Sequence, residues 1–85
     1  MTSSLARKLR DMLEEKDIQL LDIYRYAVKK GSEYLFEDKI RVKDKASGKI
    51  YTIPLGAAKE SMELEAIVEK ITSTIKEKEE QEASS

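Results

Sequence analysis

Hydrophobic and polar positions along the chain fall into four blocks. In the first, Leu5, Leu9, Met12 and Leu13 recur at helical spacing among Arg7, Lys8, Arg10, Asp11 and Glu14. This spacing predicts an amphipathic helix over about residues 4–15, with Ser3 or Ser4 able to accept from an unpaired N–H of its first turn. The block 17–30, DIQLLDIYRYAVKK, supports two periods. Polar Gln19, Asp22, Arg25 and Lys29 leave Leu20, Leu21, Tyr24, Ala27 and Val28 on one helical face, with Asp17 as N-cap and Gly31 past the C-terminus. Ile, Tyr and Val favour strands, however, and the even positions from Ile18 to Val28 alternate apart from Asp22. The spacing favours a helix slightly, either separate from the first or continuous with it.

From Glu33 the period becomes two. The segments EYLFEDKIRVKD and GKIYTIPL flank a turn at Lys45–Gly48. A hairpin pairing Lys43 with Ile50, Val42 with Tyr51, Arg41 with Thr52 and Ile40 with Ile53 sorts the side chains by character. Ile40, Val42, Tyr51 and Ile53 share one face, while Lys39, Arg41, Lys43, Ile50 and Thr52 share the other. Pro54 cannot donate to a ladder and closes the second strand or marks an edge. Tyr34–Phe36 adds a short strand, giving a three-stranded meander if 20–28 is extended. The last block carries a stripe of Leu64, Ile67, Val68, Ile71 and Ile75, preceded by Glu60, Glu63 and Glu65 and followed by Lys76 and Lys78, as a helix dipole favours.

These blocks predict an α+β fold. An N-terminal helix, or helix pair, precedes a central antiparallel β-hairpin or meander, and a long C-terminal helix packs on one sheet face. Residues 1–75 form one small domain, and 76–85 a charged, frayed or disordered tail. The expected core is Leu5, Leu9, Met12, Leu13, Leu21, Tyr24, Ile40, Val42, Tyr51, Ile53, Leu64, Ile67, Val68, Ile71 and Ile75.

Size and composition change the picture in three ways. At 85 residues, with neither cysteine nor histidine, the chain has a thin stability margin, no disulfide and no thiolate or imidazole ligand. Charged residues make up 39% of it but leave a net charge of only −1, a Lys/Glu-rich pattern resembling thermophilic proteins. The charge is segregated, with a net +4 within 39–49 and −4 over 57–85. No apolar run reaches membrane-spanning length and the first residues lack a signal-peptide core, so the expectation is a cytoplasmic protein with no membrane contact.

The chemistry is mostly negative. Ser-His-Asp and Cys-His arrangements are impossible. The Gly48-Lys49 pair lacks the upstream Gly and following Ser/Thr of a phosphate loop. Glu37, Asp38, Lys39 and Asp22 resemble a nuclease carboxylate set only loosely, so no catalytic residue, metal ligand or cofactor is assigned. The aromatic set Tyr24, Tyr26, Tyr34, Phe36 and Tyr51 reads as core and core rim.

Two surfaces remain. Lys39, Arg41, Lys43, Lys45 and Lys49 form a basic ribbon able to contact a partner or nucleic-acid phosphates. A solvated face, kept charged against edge pairing, is the plainer reading. Met62, Leu64, Ile71 and Ile75 offer apolar surface to a partner helix, with core packing as the plainer role. The function that follows is a small non-catalytic interaction protein, an accessory subunit or adaptor of a larger intracellular, nucleic-acid-processing or other, complex. Its expected partner is a larger protein or a second copy. A nucleic-acid-binding domain using the 39–53 hairpin is the alternative, and a carboxylate metal-dependent enzyme a distant third.

Overall fold

The computed structural model describes residues 4–83. Its elements are α1 (Ser4–Glu14), β1 (Ile18–Lys30), β2 (Glu33–Asp44), β3 (Ile50–Pro54), a 3-10 turn (Lys59–Ser61) and α2 (Leu64–Ala83). The three strands form an antiparallel meander in the order β1-β2-β3, and both helices contribute to the core. The molecule measures 41 × 34 × 18 Å. Its short dimension fits one sheet and one helix layer, at about 10 Å between packed layers plus side chains. The expected α+β architecture is therefore the observed one, and position 3, a proposed cap of α1, lies outside the described residues.

Residues 18–30 are a strand rather than the favoured helix. Strand propensity wins because a partner exists: β2 pairs with β1 from Ile18↔Asp44 to Lys30↔Glu33, satisfying the backbone while burying one face. Gly31 and Ser32 make the two-residue turn between them. Gly31 takes φ +64° at the first turn position, as a type II′ hairpin turn requires. Asp17, read as a helix N-cap, instead sits at φ 59° just after α1, where the chain reverses into β1. Asp is among the few side chains that tolerate that region.

A register shift between Leu20 and Asp22 leaves Leu21 as a bulge. The extra residue switches the phase of β1. Ile18 and Leu20 face the helices before it, and Ile23 and Arg25 after it. An apolar series at 18, 20 and 23 is neither period two nor period 3.6, which is why the sequence pattern there was ambiguous.

The β2–β3 hairpin has the register read from the sequence, with Lys43↔Ile50, Val42↔Tyr51, Arg41↔Thr52 and Ile40↔Ile53. Asp44 organises its turn. Its carboxylate accepts from the Ser47 hydroxyl at 3.0 Å and the Ala46 N–H at 3.3 Å, and its carbonyl accepts from Gly48 N–H at 2.7 Å.

The buried core comprises Leu9 and Leu13 of α1, Ile18, Ile40, Val42, Tyr51, Ile53 and Leu55 of the sheet and its exit, and Ile67, Val68, Ile71 and Ile75 of α2. Burying each such side chain contributes about 1.5–3 kcal/mol. Met12, Leu20, Ile23, Met62 and Leu64 pack against it. Leu5 and Leu21 are only half-buried, and Tyr24 is exposed, not core. The phase switch at Leu21 explains Tyr24: it turns residues 24 and 26 to the face away from the helices. Segment 76–83, expected to fray, is helical to Ala83, and its described side chains are exposed.

Candidate interaction surface

Both helices lie on one side of the sheet, so among the described residues no layer covers the opposite, outer face. Strand alternation and the bulge place Asp22, Tyr24 and Tyr26 of β1 there, beside Glu37, Lys39, Arg41 and Lys43 of β2 and Ile50, Thr52 and Pro54 of β3. The charged and aromatic side chains interlock across the ladder, some directly opposite and some diagonally. Arg41 Nη2 donates to Asp22 Oδ2 at 2.6 Å and lies over the Tyr24 ring, 5.9 Å from its centroid. Lys39 Nζ lies 5.1 Å over the Tyr26 ring, and Tyr26 Oη donates to Glu37 Oε1 at 3.3 Å. Cations over aromatic faces at these distances attract by about 0.5–1 kcal/mol when exposed. The Asp22 hydrogen bond raises the Arg41 pKa, while burial and the neighbouring Glu37 push the Tyr26 phenol up.

The five cations proposed from sequence are therefore not one surface. Lys39, Arg41 and Lys43 share the outer face. Lys45 and Lys49 bracket the β2–β3 turn, where Lys45 Nζ reaches Glu14 Oε2 at 2.7 Å. Of the proposed partner-helix residues, Ile71 and Ile75 are buried in the core, and Met62 and Leu64 pack against it.

A second surface was not assigned from sequence. β3 pairs with β2 only as far as Lys39↔Pro54, whereas the β1–β2 ladder continues for five more pairs beyond Arg25↔Asp38, to Lys30↔Glu33. This hairpin arm projects about 17 Å past the helix-covered region, at the usual rise per residue. No residue from 26 to 37 belongs to the core. Tyr34, Leu35 and Phe36 are exposed at 66%, 46% and 61%. The available signal was that the apolar run YLF lies outside the register fixed by Ile40, Val42, Tyr51 and Ile53.

The arm is anchored at its root by Asp38, whose side chain is 0% exposed. The carboxylate accepts from Arg25 Nε and Nη2, each at 3.0 Å, and from the Lys59 backbone N–H at 2.7 Å. Arg25 also donates to Glu60. The fork from Arg25, aided by Lys59, outweighs desolvation and lowers the Asp38 pKa. Hydrogen bonds with Lys59 and Arg25 lower that of Glu60 to about 2. Asp38 is thus a structural acid on the helix side, whereas Asp22 pairs with Arg41 outside, so the sheet separates two members of the loose carboxylate set.

An open cleft of about 730 Å³ between α1 and β1 ends on this network, lined by Arg7, Arg10, Ile23, Arg25, Asp38 and Lys59. Among the described residues no group of three Asp or Glu side chains is arranged to hold a metal ion, and no helix is long and apolar enough to cross a membrane. The chain matches no protein-family model, no curated protein and no solved structure.

Proposed function

We propose that this protein is a small non-catalytic interaction module, an accessory subunit or adaptor that works by docking. The observation that carries this reading is the projecting arm with Tyr34, Leu35 and Phe36 in solvent. An isolated two-stranded hairpin is marginal in water, and this one exposes apolar side chains on both faces, Leu35 on one and Tyr34 and Phe36 on the other, as a contact site does. The arm gains its stability from whatever it packs against. The test is affinity recovery of the tagged protein from the cells that make it, alongside a Leu35→Glu variant. A larger protein or a second copy of the chain, retained by the parent and lost with the variant, is the expected result. Recovery of both forms without any retained macromolecule overturns the reading.

One observation favours a second reading. Tyr24 and Tyr26 lie beside Lys39, Arg41 and Lys43 on an uncovered sheet face, the combination on which single-stranded nucleic acids stack. Asp22 and Glu37 offset part of that charge, and the chain's −1 net charge gives little long-range attraction. Nucleic-acid contact is therefore the alternative.

A further inference from the structure

Among the described residues both edges of the arm are unpaired, since β1 pairs with β2 alone and β3 stops at Lys39; the β2 edge is the one that carries the exposed Tyr34 and Phe36. Asp38 directs its backbone toward the β3 side: its N–H donates to Ala57 O at 3.1 Å, and its carbonyl accepts from Leu55 N–H at 2.9 Å. Backbone direction alternates along a strand, so Phe36 and Tyr34 point their N–H and C=O groups to that same side. Pro54 has already ended β3 at Lys39, and among the described residues no strand pairs with Glu33–Glu37 there. Four backbone polar groups and two exposed aromatic rings therefore mark a ready template for an added strand.

The segment itself names the strand that fits. Glu33-Tyr34-Leu35-Phe36-Glu37 reads nearly the same in both directions. We infer that two copies of this chain pair β2 against β2 antiparallel along this segment, around a two-fold axis at Leu35. Tyr34 of each copy then faces Phe36 of the other as a mutually hydrogen-bonded pair, and the two Leu35 side chains meet on the outer face. A two-fold axis normal to the sheet allows only registers that keep each face continuous. Shifting toward the strand end makes Asp38 compete with its own bonds to Leu55 and Ala57. Shifting toward the turn sets Leu35 against Glu33. The register centred on Leu35 avoids both. The register sets Glu33 of each copy opposite Glu37 of the other, a like-charge pairing that Lys30, whose Nζ lies 3.6 Å from Glu37, and Lys29 offset within each arm.

This inference rests on the arm being a contact surface and names its occupant as a second copy. The purified full-length chain tests it directly. Sedimentation equilibrium should give twice the 9.7 kDa chain mass, returning to the single-chain mass in Phe36→Pro, which removes an N–H aimed at the open edge and not at β1. The chain contains no cysteine, so Leu35→Cys places one thiol per copy at the axis. Facing residues of a non-hydrogen-bonded pair lie at disulfide-compatible spacing, and oxidation should link Leu35→Cys roughly tenfold or more faster than Val28→Cys, whose copies lie three strand spacings apart. A single-chain mass at every concentration overturns the inference, as does equal cross-linking of the two variants. Either failure leaves the affinity recovery of a different partner to judge the broader reading separately.

Discussion

Arg25 and Asp38 sit opposite each other across the β1–β2 ladder, and the guanidinium grips the buried carboxylate through two bonds of 3.0 Å each. A third bond ties Asp38 to the Lys59 backbone. One side chain thereby fixes the root of the arm and the segment leading from β3 to α2. Asp38→Ala leaves the Lys59 N–H without its acceptor and a void in its place. We expect a loss of about 2–4 kcal/mol in chemical denaturation. Arg25→Lys should lose less, because one bond survives but the fork does not.

Acid should weaken the fold through the same network. Asp38 and Glu60 both titrate below their ordinary values of 3.8 and 4.5 in the folded protein, Glu60 at about 2. The unfolded chain therefore binds these protons first as pH falls. The stabilisation is complete above about pH 5 and is lost progressively toward pH 2. Denaturation midpoints at pH 6 and pH 3 should show the fall, and a smaller fall in Asp38→Asn. An equal fall in both proteins contradicts this origin.

Asp17 offers a gain instead. Its φ of 59° costs an L-residue free energy that glycine avoids. Asp17→Gly should raise the thermal midpoint, corresponding to about 0.5–1 kcal/mol, with an unchanged circular dichroism spectrum.

Two isoleucines on opposite sheet faces test the layering. Ile40 is 0% and Ile50 56% exposed. Ile40→Ala should cost about 2–5 kcal/mol and Ile50→Ala less than about 0.5 kcal/mol, both read from urea midpoints.

The alternative nucleic-acid reading makes its own prediction. Fluorescence anisotropy with mixed single strands at two salt concentrations should show binding that weakens as salt rises. Arg41→Glu with Lys43→Glu should flatten that dependence. No binding at low salt removes this reading.

The sequence carried particular elements unequally. The 39–53 register was legible because four apolar residues share one face when Lys43 meets Ile50, and a one-residue slip parts them. Asp38 carried a signal that went unread, since it lies in phase with Ile40 and Val42 and a carboxylate in a buried phase requires a partner. The arm was hidden because strand length depends on how far a neighbour continues, and Tyr34–Phe36 read as a third strand or core rim.

By itself the sequence determined the two helical stripes, the β2–β3 hairpin and its sorted faces, since these follow from periods held within a few residues. Only the tertiary structure decided the state of 17–30, the bulge at Leu21, the outward turn of Tyr24 and Tyr26, and the bare edge at Tyr34 and Phe36. Each depends on which strand lies alongside. A bulge is defined by two residues opposing one on a partner some twenty positions away, and no local period records it.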